Sequence, residues 1–264
     1  MGQIISMMRM GEYAATRLHK IRSQYADEKN QNLITALHQA CAAAARSYLP
    51  ADEVPKFEKE TGEFFLKKAK KESDNKDLQN FCLEKAIEFM NDKDGLAAAS
   101  DWILKEAVSV DDTKLACTLT PAQKYTIVKK YWASSDFTQE QKDALKTKCF
   151  EKDDSEPGMT AEKVLGYSLP DKDLKDRLWN EITDKESKES LLELRCKMEG
   201  FWQPRQQLDL MKPFFEKYYD IVKKVVDERD REFAQAFMNA LSPSFMAREE
   251  DKKKFQELLD KMSD

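Results

Sequence analysis

The chain has 264 residues, enough to bury a sizeable core without disulfides or a metal. Its 44 Lys and Arg against 49 Asp and Glu give a net charge of −5 with both signs interleaved, which excludes recruitment of nucleic acid by charge. Only 7 glycines occur, well under half the usual share of about 7%, and 35% of residues are charged, a balance that favours helices over turn-rich β architecture.

Apolar residues recur at helical spacing almost from end to end, and about eleven helices are expected. The first runs from Ile4 to Tyr25 with a break near Gly11. The second, from Gln31 to Tyr48, carries the stripe Leu33, Leu37, Ala40, Ala44 and Tyr48 and stops at Pro50. Helices follow at Pro55 to Lys71, Lys76 to Met90 and Gly95 to Ala107. The link from Val108 to Leu119 is less helical, and Ala107 to Val110 is the one stretch that alternates like a strand. Thr120-Pro121-Ala122-Gln123 and Thr138-Gln139-Glu140-Gln141 are capping boxes that open helices ending near Trp132 and Phe150. Asp153 to Gly158, with Pro157 and Gly158 adjacent, reads as a loop and as an internal hinge. The next expected start is Asp171 after Pro170, for a helix through Leu174 and Leu178 to Ile182, followed by Lys188 to Trp202. Pro213 predicts a short turn before it and a fresh helix from it, because a helix through it would lose a backbone bond. The class is therefore all-α: antiparallel helix pairs stacked into an irregular solenoid of the HEAT or armadillo kind, with no strict sequence repeat.

The residue types needed for chemistry are sparse. The two histidines, His19 and His38, sit alone on helices and read as partly exposed, and the five cysteines lie more than thirty residues apart with no Cys-x-x-Cys pair. No Gly-x-Ser-x-Gly elbow, Walker pattern or Gly-x-Gly-x-x-Gly is present. No catalytic, metal or cofactor residue is assigned. The strings Lys67 to Lys71 and Lys252 to Lys254 are flanked by acids and read as solvated helix faces. No apolar run reaches the ~18 residues of a membrane span, and the thiols suit a cytoplasmic setting. Met1 to Ser6 fits the N-myristoylation pattern at Gly2. The aromatics crowd into one stretch, Phe201-Trp202, Phe214-Phe215 and Tyr218-Tyr219. That stretch reads as a dense core, with a second reading as the wall of a peptide or partner groove formed by Phe201, Trp202, Arg205, Gln206, Phe214 and Tyr218.

Leu178-Trp179, Ser190-Leu191, Met198-Glu199-Gly200-Phe201, Gln206, Leu208, Leu210-Met211, Pro213-Phe214 and Lys217-Tyr218-Tyr219 resemble the C-terminal helical domain of aminopeptidase N type (gluzincin) zinc aminopeptidases. Leu169-Pro170-Asp171 with Lys175 agrees, as do Met8 to Glu12, Gln39-Ala40 and Tyr48 to Pro50, whereas Met159 to Ser168 departs from the pattern. The resemblance implies one helical domain over residues 1–264 that lacks the family domain's first helices. It implies closure of a peptide chamber over a catalytic domain, and binding to peptide, to that domain or to another copy. Zinc is expected only in the catalytic domain, whose His-Glu-x-x-His and Gly-Ala-Met-Glu-Asn motifs have no counterpart in this sequence. The alternative is a helical-repeat scaffold for a protein partner, unconnected with peptidase activity.

Overall fold

A computed structural model describes residues 2–10, 12–243 and 249–263, so the expected break at Gly11 lies outside the described residues. The protein is all-α, with fourteen α-helices among the described residues. It divides into two compact units, residues 1–128 with 147–149, and residues 129–146 with 150–264.

The first unit contains α1 (Gly2–Arg9), a short 3-10 turn (Ala15–Arg17), α2 (Leu18–Gln24), α3 (Gln31–Ser47), α4 (Val54–Lys71), α5 (Lys76–Phe89) and α6 (Lys93–Leu104). Side chains start these helices where the sequence supplies them: Asn30, Asn75 and Asp92 each accept a hydrogen bond from a first-turn amide. Helices α4 and α5, joined by a four-residue link, make the most extensive contact of the unit. There Phe65 of α4 stacks on Phe89 of α5, and Leu83 and Ile87 of α5 are buried.

Three polar residues face inward, two of them, His38 and Lys68, against expectation. His38 is buried against Phe65 and Phe89, with Nε2 2.8 Å from the Glu88 carboxylate. Lys68, in a string read as solvated, is buried with Glu72 and donates to the carbonyls of Ala26 and Glu28. Arg22 donates to Thr61 Oγ1 at 2.7 Å and to Glu60 at 3.1 Å. In each case a partner at the buried end makes the inward position tolerable.

The alternating stretch becomes a small antiparallel hairpin of β1 (Ser109–Val110) and β2 (Thr113–Lys114). Its turn residues Asp111 and Asp112 have φ of 45° and 59°. Asp is among the few L-residues that enter this region readily, and two positive φ values suit a tight hairpin. The Trp102 indole donates to the Ser109 carbonyl at 2.9 Å and ties the hairpin to α6.

Helices α7 (Pro121–Ala133) and α8 (Gln139–Phe150) open with the two expected capping boxes, both formed reciprocally. The division between the units falls inside these two helices. The second unit continues with α9 (Glu156–Ser168), α10 (Lys172–Thr183), α11 (Leu191–Phe201), α12 (Leu208–Glu228), α13 (Arg231–Leu241) and α14 (Glu249–Ser263).

Two of these differ from the expected elements. The stretch read as a loop ends inside the first turn of α9, where Ser155 Oγ accepts from the Gly158 amide and Pro157 occupies a position that needs no N–H. Asp153 wraps back over this turn, and a Cβ on Gly158 would meet its carboxyl at 2.6 Å. Helix α12 starts at Leu208 and runs through Pro213 instead of restarting there. The carbonyl that Pro213 leaves without an amide partner belongs to Asp209, an exposed residue where water can serve it. Burial of Met211, Phe214 and Phe215 on either side of the proline offsets the lost bond.

The core of this unit is built from rings. Trp179 stands 5.7 Å from Phe201 and 5.5 Å from Phe214, and Tyr218 stacks on Phe237 at 5.7 Å. Leu178, Leu194, Met198, Val222 and Phe233 complete it.

A candidate cleft between α11 and α13

Within the second unit, α11 and α13 border a cleft of about 880 Å³. Ser190 and Asp230 start the two helices by accepting from the amides of Glu193 and Phe233. In α11, Leu194, Met198 and Phe201 turn to the core, which leaves Arg195 and Glu199, one turn apart, on the outer side. In α13, Phe233 and Phe237 are buried while Glu232, Gln235 and Asn239 are exposed. Met198, Trp202, Ala236 and Ala240 lie between the two zones and form an apolar floor. The two alanines, one turn apart, keep the cleft open.

Trp202 is fixed by its neighbours. Its ring lies 6.3 Å from Phe201 and 5.4 Å from Phe215, and its backbone amide closes α11 on the Met198 carbonyl. Above this floor Glu199 pairs with Lys129 at 2.6 Å, and Gln203 donates to the Glu199 carbonyl. Arg195, Glu232, Gln235 and Asn239 make no polar contact with any described residue, so a cation, an anion and two carboxamides face the opening. Such a lining can hydrogen-bond both the N–H and the C=O groups of an extended chain while the floor receives its side chains. No group of three or more His, Cys, Asp or Glu side chains converges as a metal site among the described residues.

Behind the floor, α9, α10 and α11 meet closely. A Cβ on Gly200 would fall 2.4 Å from the Tyr167 Cβ and 2.8 Å from the Val164 carbonyl oxygen, so the approach of α9 to α11 requires glycine there. Lys175, fully buried, donates to the carbonyls of Tyr167 at 3.0 Å and Gly200 at 2.8 Å. Burial pushes its ammonium down to about 7. Gln207 donates to the carbonyls of Ala133 and Ser168, which ties the ends of α7 and α9 to the start of α12.

Of the six residues suggested by sequence, Phe201, Phe214 and Tyr218 are sealed in the core, at 0%, 2% and 4% exposure. Burial takes them out of any accessible wall. Trp202 lines the cleft. Arg205 and Gln206 are half-buried in the link between α11 and α12 and do not line it. The residues that sequence reasoning passed over are Arg195, Glu232, Gln235 and Asn239. Their signal was present, as polar positions one turn apart opposite an apolar stripe, but that pattern is shared by every amphipathic helix.

All five cysteines are free thiols, four of them buried. Among the described residues, no helix is long and apolar enough to cross a membrane. The family model for the ERAP1-like C-terminal domain matches residues 1–264, the whole chain. No curated protein matches it.

Proposed function

The chain belongs to the ERAP1-like C-terminal domain family, and from that premise we propose that it serves as a non-catalytic closing domain, its α11/α13 cleft holding peptide within the chamber of an aminopeptidase. The observation that carries this reading is the match over all 264 residues, which also supports treating the two units as one functional domain. The cleft supports the peptide part, since its unpaired polar groups over an apolar floor suit a backbone with side chains and no particular small molecule. Five free thiols support a reducing, cytoplasmic setting.

Two measurements test the proposal. The purified chain, supplied with zinc, should release no amino acid from aminoacyl reporter substrates; chelator-sensitive turnover would overturn the non-catalytic assignment. Short labelled peptides should bind saturably by fluorescence anisotropy, and the Arg195→Ala/Glu232→Ala double variant should weaken that binding severalfold. Equal binding by the variant would remove the cleft from the proposal.

A further inference from the structure

The cleft shares its α11 wall with a buried lysine, whose functional meaning rests on the reading of that cleft as the peptide site. Lys175 lies at 0% exposure between the C-terminal ends of two helices, bonded to Tyr167 O near the end of α9 and Gly200 O near the end of α11. The next two residues of the chain after Gly200 are Phe201, whose ring face is 5.8 Å from Nζ, and Trp202 of the cleft floor. We propose that Lys175 is a proton-operated latch for the α11 wall: as a neutral amine it holds the ends of α9 and α11 together, and on taking up a proton it loosens them and releases Trp202.

The donor arithmetic supports this. A neutral amine has two N–H groups for two carbonyl acceptors, whereas an ammonium has three, so protonation leaves one buried donor and a full charge without a partner. The helix ends and the Phe201 face attract a cation, but neither supplies a counter-charge. Of the ionised groups on the surrounding helices, Arg195 of α11 and Asp173 of α10 are exposed, and most others are engaged in pairs of their own. On α9, Glu162 pairs with Lys146 and Lys163 with Glu193, which also accepts from the Tyr167 hydroxyl. On α10 itself, Lys172 pairs with Asp176 and Arg177 with Glu181. On α11, Glu199 pairs with Lys129, and Lys197 with Glu181 and Glu189; burial pushes the Cys196 thiol up, away from ionisation. On α12, Lys217 pairs with Asp176. Burial alone therefore sets the proton affinity of Lys175, and it sets it near neutrality.

The test is clean because both histidines, His19 and His38, belong to the first unit. In a Trp102→Phe background the remaining tryptophans, Trp132, Trp179 and Trp202, all report on the second unit. Their emission should show a red-shifting step as pH falls through about 7, and Lys175→Met should abolish it. A step that persists in Lys175→Met, or no step in the parent, overturns the latch. Should Lys175→Met fail to fold, hydrogen exchange on the unaltered chain decides: amides at the ends of α9 and α11 should exchange severalfold faster below neutrality than base-catalysed chemistry alone gives, and unchanged protection overturns the latch. Neither measurement contains peptide, so a failed latch leaves the peptide-binding result standing, and failed peptide binding leaves the pH step readable.

Discussion

The first unit buries Lys68 beside Glu72 and Arg22 beside Glu60, whereas the second buries a cluster of rings and, besides the paired Lys197, two lysines, Lys142 and Lys175, with no ion-pair partner among the described residues. In the first, Arg22 meets Glu60 and His38 meets Glu88 across different helices, while Lys68 meets Glu72 at the end of α4 and reaches the Ala26 and Glu28 carbonyls after α2. In the second, Trp179, Phe201, Phe214 and Phe237 supply contact area that needs no partner beyond good fit. The difference matters for failure. A ring core loses stability in proportion to the volume removed. A buried pair loses it when one partner is left alone, and loses little when both are replaced together.

The largest expected effects test that contrast directly. Phe201→Ala should cost about 3–5 kcal/mol in urea unfolding, and no single second substitution should restore it. Lys68→Ala should cost a similar ~3–5 kcal/mol by leaving the buried Glu72 carboxylate with only the exposed Lys29 as counter-charge. Here the Lys68→Met/Glu72→Leu double variant should recover most of the loss. If the double variant is as unstable as Lys68→Ala, the first unit does not depend on paired charge in the way described.

A smaller effect concerns pH. Lys175 titrates near 7 in the folded protein and would titrate near ~10.4 in the unfolded chain. Between those values the unfolded state holds more protons, so stability should rise as pH climbs from about 7 to about 10, and this residue should add no slope below that window. The rise is on the order of a few kcal/mol, and urea midpoints across that range should flatten in Lys175→Met. Identical slopes in parent and variant would show that the amine is not desolvated as the structure has it. The smallest effect is local: Asp230→Ala removes the cap at the start of α13 and should cost about 1 kcal/mol. Because α13 is one wall of the cleft, peptide binding should fall with it.

Much of the fold was legible in the sequence because it rests on local rules. Both capping boxes, the Asp171 start and the Pro50 stop can be read from neighbouring residues alone. Helix α9 was hidden because Pro157 and Gly158 punctuate a sequence in the same way whether they close a loop or open a helix. Pro213 misled for a related reason: its penalty is local, but the burial of Met211 and Phe214 that outweighs it is not. Of the residues that line the cleft, only Trp202 is among those the sequence suggested for a peptide or partner surface. The crowding of aromatics was visible, but which ring faces inward depends on what packs opposite, and Phe201 and Trp202 are adjacent in sequence with opposite fates.

By itself the sequence determined the all-α class, most helix starts and the likeness to an aminopeptidase C-terminal domain, since periodicity, caps and residue order are properties of neighbours along the chain. Only the tertiary structure decided which polar residues go inside, how α9 and α11 meet at Gly200, and where the open cleft lies. Those outcomes depend on the volume and hydrogen-bonding partners supplied by residues distant in sequence. Lys175 shows the division most plainly: as a letter it is one of many surface-type lysines, and its burial follows from two carbonyls that only the packed helices bring to it.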